Sequence, residues 1–405
     1  MVPRRFALLI AAALVLTGIV GCGPGGDQGI EGDTVTVYVS APLAGGSGAQ
    51  GRAIEDGAEL ALVDAKRRAG ELRVEARVLD DTEGTGARAR WSPVAAAANA
   101  RRAAQDTTAI AYIGELQSGA TRSSLPITNA ASMLQVSPGS TAVDLARTAP
   151  GAGDEVPELV QPSGERTFGR VIPDDETQAE AGAVWARNLG ARRAALITDG
   201  SDFGRVVAGE FAEQAEAEGV SIDADERRRP SRVAIREISR AQPDLVYYGG
   251  AADRGGLHLL ARAAPAAPRA TIMATDALLD PFSLRAAGTH GSRLRISSAA
   301  EDPSQLPPAG QRFVREYRDR FGRVPNRYAA YGYEAMAVVL DSIERAGDRG
   351  EDRGAVLDAF LETRDRHSVL GTYSIDEVGN TTLKAIAGYR VRAARPVFDR
   401  ALRAP

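Results

Sequence analysis

Apolar and polar positions along the chain alternate between short buried runs and helix-period segments. Thr34–Ala41 (TVTVYVSA) places Val35, Val37 and Val39 on one face and predicts a first strand. A helix is expected over about Arg52–Ala69, where Ile54, Ala58, Leu60, Ala61, Leu62 and Ala65 recur at helical spacing. Leu72–Leu79 predicts a second strand ending in Asp80-Asp81, and Pro93–Gln105 a helix of Ala and Arg. Ala109–Ile113 is the third strand, so the chain opens as βαβαβ, the pattern of a doubly wound α/β lobe.

The stretch Ala109–Asp144 repeats one device twice. An apolar run (Ala109–Ile113) stops at Gly114, and the small polar loop Leu116–Thr121 opens a helix. A second run (Met133–Val136) stops at Ser137-Pro138-Gly139-Ser140-Thr141 and is again expected to open a helix. In an open parallel sheet the ligand crevice lies at the carboxyl ends of the strands. Helix N-termini there offer unpaired N–H groups and the positive end of a dipole, which suit a carboxylate or phosphate. Ser118, Gly119, Ser137, Gly139 and Thr141 are therefore candidate contacts for a small anionic group. Ordinary helix capping explains each loop taken alone.

Ala149–Arg166, with several Pro, Gly and acidic residues, interrupts the pattern and reads as a surface insertion. Thr167–Ile172 resumes as a strand, and Asp174–Gln178 caps a helix through Leu189. A second series follows: strands Ala194–Thr198, Val220–Ile222, Leu245–Tyr248 and Thr271–Ala274, with helices Phe203–Glu218, Val233–Ala241 and Arg254–Ala264 between them. An Ile296–Ala299 strand, helices Gln311–Phe321 and Ala329–Ala346, and a closing pair Thr372–Asp376 and Ala385–Val391 complete the chain. Tyr247-Tyr248-Gly249-Gly250 ends one strand at the expected cleft edge, and Asp276 ends another. An acid there could receive an ammonium group or simply cap a turn.

Composition narrows the function. The 405 residues carry a net charge of −4, and the basic residues, almost all Arg, are interspersed with acids as on a solvated face. There is no footprint for nucleic acid and no polybasic membrane patch. Arg4 and Arg5 precede an apolar run from Phe6 to Leu16, too short to span a bilayer and matching the middle of a secretory signal. Cys22, the single cysteine, follows Ile19-Val20-Gly21. That box resembles the bacterial lipoprotein consensus, which makes residues 1–21 the expected signal peptide and Cys22 the lipidated first residue. Residues 22–33 are Gly-rich and aperiodic, a tether reaching about 20 Å by random-coil scaling. With one cysteine no internal disulfide forms, so the core must stand alone.

Other motifs carry less. Gly46-Ser47-Gly48-Ala49-Gln50-Gly51 is a literal GxGxxG after a strand and before a helix. The loop before it is long, however, and the nearest acid, Asp80 or Asp81, lies nearly thirty residues on, where about twenty is expected. A ligand-contacting or connecting loop is the better reading. His258, His290 and His367 are scattered without metal-ligand spacing. Ser118 lacks the GxSxG elbow. Asp80-Asp81 and Asp174-Asp175 could serve acid–base work, but a strand end and a helix cap account for them. No catalysis, cofactor or metal is expected.

The chain from about Thr34 to Val391 resembles the type I periplasmic binding proteins, specifically the leucine/isoleucine/valine-binding branch that serves ABC importers. The carrying motifs are VYVSAPLAGGSGAQG…DGAELAL, YIGELQSGAT, QVSPGSTA, RVIPDDETQ, ALITDGSDFG, DLVYYGG, YGYEAMAVVLDSIERAG and GTYSIDEVGN, in family order. The resemblance implies an α/β bilobed fold, two doubly wound parallel-sheet lobes joined by hinge crossovers, that closes on an amino acid. It places the first lobe at 34–169 and 277–370 and the second at 170–276 and 371–405. It assigns the carboxylate contacts to Ser118, Gly139 and Thr141, the aromatic contact of the second lobe to Phe203, and the ammonium acceptor to Asp276. Asp175 falls near the lobe crossover. Two departures bear on the side-chain pocket: Ala251 stands where the family has a tyrosine after Tyr-Gly-Gly, and Gln50 where a tyrosine is common. With Tyr248 at the cleft edge, these residues define the expected site.

The expected function is that of a non-catalytic solute receptor, monomeric and lipid-anchored on the outer face of the cytoplasmic membrane. It would bind an amino acid or similar small carboxylate for an ABC permease. The rivals are a sensor of the same fold working with a signalling partner, and an enzyme, for which no nucleophile–base pair is evident.

Overall fold

The structure is a computed structural model and describes residues 30, 32–148, 156–225, 231–250, 256–279, 281–286 and 288–404. The expected signal peptide, Cys22, most of the tether, Ala251 and the first part of the expected insertion lie outside the described residues.

The first lobe is built around β1 (Thr34–Ala41), a parallel strand buried on both faces. Val35, Val37 and Val39 fill one layer, and Tyr38 enters the other. After β1 come helix α1 (Gly48–Asp64), the short β2 (Arg68–Ala69) and β3 (Leu72–Asp80). A hairpin of β4 (Thr82–Glu83) and β5 (Arg90–Trp91) leads to α2 (Pro93–Gln105). Ser92 caps that helix by accepting from the Val94 (3.1 Å) and Ala95 (3.4 Å) N–H groups, with Pro93 at the first helical position. The lobe continues through β6 (Ala109–Ile113), α3 (Ser118–Ala130), β7 (Leu134–Ser137), the short α4 (Val156–Val160) and β8 (Phe168–Arg170). Its sheet runs β2-β3-β1-β6-β7-β8, parallel except at β2.

The second lobe starts with α5 (Asp175–Asn188), capped by Asp174, and β9 (Arg193–Thr198). Then follow α6 (Asp202–Ala217), β10 (Ser221–Asp225), α7 (Ser231–Ala241), β11 (Leu245–Gly249), α8 (Gly256–Ala266), β12 (Thr271–Thr275), α9 (Pro281–Ala286) and β13 (Leu294–Ser298). The chain returns to the first lobe as α10 (Pro308–Phe321), α11 (Tyr328–Arg345) and α12 (Arg353–Leu361). Helix α11 packs on α1 at backbone contact. A Cβ on Gly57 would lie 2.0 Å from Ala329 O, and one on Gly332 2.3 Å from Ile54 O, so only glycine permits the crossing. A small hairpin of β14 (Arg366–Ser368) and β15 (Gly371–Tyr373) precedes β16 (Ala385–Arg392) and β17 (Arg395–Arg403). The second sheet runs β10-β9-β11-β12-β13-β16-β17, parallel through β13 and antiparallel beyond.

In each sheet the strand order reverses beside the lobe's first strand, between β1 and β6 and between β9 and β11. The carboxyl ends of those strands are where an open α/β sheet takes its ligand. Between the sheets the described chain crosses after β8, after β13 and after β15. The crossings are tied together: Arg170 N–H donates to Gly379 O (2.9 Å), Gln178 Nε2 to Ser297 O (2.9 Å), and the Tyr331 hydroxyl to Ala299 O (3.1 Å).

Several expectations shift. The first helix starts and ends earlier than periodicity suggested, because the chain turns back into β2. After β7 no α-helix forms; Val143–Leu145 is a single 3₁₀ turn. Strand β13, inside the range expected to return to the first lobe, pairs with β12 and β16 and belongs to the second sheet. The expected closing pair does not form, since β15 pairs with β14 and β16 with β17. The expected insertion holds α4, whose Val160 packs with Leu125, Leu145 and Phe168. The hairpin at 82–91, α12 and β17 carried no sequence signal that was read.

Candidate ligand site between the lobes

Two loops of the first lobe stack at the ends of β6 and β7. Gln117 sits at the N-cap position of α3 in extended conformation and makes no side-chain cap, which leaves the first N–H groups of the helix without a side-chain acceptor. The second loop packs directly on the first at Gly139. A Cβ there would lie 2.6 Å from Leu116 Cδ1 and 2.8 Å from Leu116 O. Ala142 N–H donates to Ser118 Oγ (3.1 Å), joining the loops and leaving the half-buried hydroxyl free to donate its own proton outward. Trp91, from the β4–β5 hairpin, packs so close on Gly119 that a Cβ would meet its ring at 2.6 Å.

Ser137 plays a different part from the one expected. Its side chain is fully buried: Oγ donates to Glu115 O (2.8 Å) and accepts from the Gly139 (3.2 Å) and Ser140 (2.8 Å) N–H groups. It shapes the loop and faces no ligand. Behind the loop stands a residue the sequence reading missed, Arg170, fully buried, donating through Nη1 to Ser140 O (3.1 Å) and Ala142 O (2.9 Å). Burial lowers its pKa and the surrounding Asp174, Asp175 and Asp144 raise it. A guanidinium so placed supplies the positive charge that the missing second helix would have given.

The opposite side of the cleft is acidic. Asp175 opens α5 and is buried (6 % exposed). Its N–H donates to Thr141 O (2.8 Å), and its carboxyl takes a hydrogen bond from the Thr141 side chain, so this acid touches the cradle directly. Its Oδ2 has no hydrogen-bond partner among the described residues. Burial pushes the carboxyl up to about 7; Thr141 and Arg170 pull it down, and Asp174 and Asp276 push it further up. Asp276 follows β12, half-buried, with Oδ2 accepting from Ser298 Oγ (2.9 Å) and the Tyr328 hydroxyl (3.3 Å). Thr275, just before it, is buried with its hydroxyl unpartnered among the described residues.

The aromatic residue associated with these acids is Tyr247. Tyr248 is fully buried in the apolar cluster with Ala195, Ile197 and Ile272, a core side chain and not a cleft wall. On the other face of β11, Tyr247 stacks on Phe211 (centroids 3.8 Å apart, planes within 8°); burial raises its pKa, and Asp175, Asp276 and Glu210 raise it further. Phe203 is half-buried in the first turn of α6, packed against the main core. Gln50 lies half-buried in the first turn of α1. The glycine-rich loop beside it is a packing device: a Cβ on Gly51 would lie 1.9 Å from Pro42 O. Asp80, one of the two acids that the discounted nucleotide reading would have needed, is engaged by the Leu43 (2.9 Å) and Thr82 (3.0 Å) N–H groups.

A donor-rich pair of first-lobe loops thus meets an acid at the crossover, where the Asp175 N–H donates to Thr141 O. Comparison with known proteins agrees in scale. The profile described as "Periplasmic binding protein" matches residues 34–396. The Leu/Ile/Val-binding protein BraC3 of Rhizobium johnstonii is 25% identical over 374 residues, 90% of this chain and 93% of its own. Among solved structures, a leucine-binding protein of Thermotoga maritima superimposes with a TM-score of 0.71 at 26% identity, covering 91% of this chain and 99% of that one. A solute-binding protein of an ABC transporter from R. palustris, solved with benzoate, gives a TM-score of 0.69 at 18% identity over 92% of this chain and 97% of its own, a likeness of fold alone.

Proposed function

The chain belongs to the periplasmic binding protein family, and we propose that it is the substrate-binding receptor of an ABC importer, taking an amino acid or similar small carboxylated solute between its lobes. In this reading the ligand carboxylate meets the N-terminus of α3, the Ser118 hydroxyl and the Gly139–Thr141 loop, with Arg170 behind that loop and the Thr141 hydroxyl turning from Asp175 to the ligand as it binds. Asp276 and Asp175 receive the ammonium. Closure follows because contacts to both sides exist only when the lobes meet on the ligand, which is the differential affinity a conformational change requires. The chain would be exported, anchored through a lipid on Cys22, monomeric, and would hand its ligand to a membrane permease. Among the described residues no helix is long and apolar enough to cross a membrane.

The observation that carries the reading is the pairing of an uncapped helix N-terminus, and of the neighbouring loop that a buried guanidinium backs, with an acid whose buried Oδ2 lacks a partner among the described residues. It is complementary to a zwitterion. The test is a thermal-unfolding screen of protein stripped by unfolding and refolding, against amino acids, amides, aromatic acids and sugars. A ligand at a hundred times its Kd adds about 2.7 kcal/mol of stability. A shift confined to one amino acid class supports the receptor and names its ligand. A response to sugars with silence from every carboxylate removes the cradle assignment.

A further inference from the structure

Beneath the first-lobe loops, outside the cleft, two carboxyl side chains are buried together. Asp81 follows β3 and Glu115 follows β6, and both are 0 % exposed. Glu115 Oε1 accepts from the Tyr112 hydroxyl (2.6 Å). Apart from the contact between the two acids, Glu115 Oε2 and both Asp81 oxygens have no hydrogen-bond partner among the described residues. Asp81 and Glu115 lie within hydrogen-bonding reach of each other, Asp80 adds its like charge on Asp81 and Asp81 its own on Glu115, while Tyr112 and Ser40 offer hydrogen bonds to Glu115. Asp80 itself is held by Leu43 and Thr82. Two ionised carboxylates buried together repel strongly unless a cation or a proton stands between them. Burial pushes Asp81 up to about 6 and holds Glu115 well above the usual carboxylate range.

Glu115 is also the hub of the cradle. Its carbonyl accepts from Ser137 Oγ (2.8 Å) and Ser140 Oγ (3.1 Å), and its N–H donates to Thr121 Oγ1 (3.3 Å). Gln117 and Ser118 follow two and three residues on. The main chain of Asp81 joins the neighbouring loops: its N–H donates to Ala41 O (3.2 Å) and its carbonyl accepts from Ser92 N–H (2.8 Å). The pair therefore links the ends of β1, β3 and β6 to both ligand loops.

We propose that Asp81 and Glu115 are positioning residues for ligand capture, sharing one proton that holds the Glu115 peptide, and with it both cradle loops, in the binding arrangement. This rests on the receptor reading above. While the proton is present the pair is cohesive. As pH rises and the proton leaves, two buried like charges face each other, Glu115 is driven off its place, and affinity falls.

Glu115→Gln keeps an acceptor for Tyr112 and supplies a permanent N–H in place of the shared proton. Asp81→Asn does the same from the other side. The experiment is calorimetric titration of wild type and E115Q with leucine, or with the strongest binder from the panel above, from pH 6 to pH 9. Titration of Asp175 and of the ligand's ammonium is common to both proteins and cancels in the ratio of their affinities. We expect wild-type affinity to fall roughly tenfold relative to E115Q across that range, equivalent to about 1.4 kcal/mol. A purely structural role would change affinity by the same factor at every pH, and a constant ratio overturns the proposal. Should E115Q not fold, D81N carries the same comparison. If no member of the panel binds wild type at any pH, the receptor reading fails and the positioning role with it; if a ligand binds and the ratio is flat, only the positioning role fails.

Discussion

In the first-lobe wall the loop hydroxyls are fixed before any ligand arrives: Ser137 and Ser140 donate to Glu115 O, Thr121 pairs with Ser140, and Ser118 accepts from the Ala142 N–H while keeping its own proton to donate. At the crossover and in the second lobe the corresponding atoms are left over. Asp175 Oδ2, Thr275 Oγ1 and Glu210 Oε1 are buried without partners among the described residues. The first wall is a preformed receiver, with its geometry fixed by hydrogen bonds within the loops. The second is incomplete, and buried polar atoms without partners are costly. A ligand that supplies donors to the second wall while resting on the first stabilises the closed arrangement specifically. In the proposed receptor, docking falls to the first wall and the drive for closure to the second.

Removing the charge from the incomplete wall should have the largest effect. Asp276→Asn retains an oxygen to accept from Ser298 and Tyr328, so melting without ligand should change little. It loses the ammonium's counter-charge, and calorimetry should show affinity for an amino acid down by about 3–4 kcal/mol. Striking the preformed wall at its surface comes next. Ser118→Ala combined with Thr141→Ala should weaken binding by about 2–3 kcal/mol with the fold intact, as for hydrogen bonds to a charged group; unaltered affinity would remove the carboxylate assignment. Gly139→Ala should blur the distinction between wall and scaffold. Its Cβ would press on Leu116, and overpacking of this kind costs about 1–3 kcal/mol, so unfolding temperature and affinity should drop together.

The smallest effect is the acid limb of the pH profile. Asp175, pushed up to about 7, is mostly protonated at pH 6 and unable to attract an ammonium, so affinity should rise as pH climbs through 7, and Asp175→Asn should flatten that limb. Stability runs the other way. A carboxyl raised in the folded state contributes no penalty below its ordinary value near 4, and the fold loses stability as pH rises toward the raised value. Ligand-free protein should therefore melt several degrees lower at pH 8 than at pH 5.

What the sequence disclosed follows from which signals are local. Thr34–Ala41, Pro93–Gln105 and Ala109–Ile113 have the bounds that their apolar runs and caps dictate, because strand length and helix start are written in neighbouring residues. The cradle loops were visible as Ser, Thr and Gly after two buried runs. The choice between Tyr247 and Tyr248 was not. In Leu245–Gly249 every residue is buried, so no alternation marks which face points to the cleft. Arg170 was one arginine among 49 basic residues until the fold set it behind the second loop. Asp81 and Glu115 meet only through the sheet order, which places β1 between β3 and β6. Ser137 looked like a ligand contact because its residue type fits either role; its neighbours decided the matter.

The most direct measurement of the account's central claim is a calorimetric comparison of three molecules on stripped protein: the amino acid chosen by the screen, its α-amide, and its deaminated acid. The account predicts that the parent binds and that both analogues lose at least about a hundredfold, ~2.7 kcal/mol, because each leaves one wall of the cleft unanswered. A deaminated acid that binds as well as the parent would contradict it, leaving a carboxylate receptor in which Asp276 and Asp175 take no part in recognition.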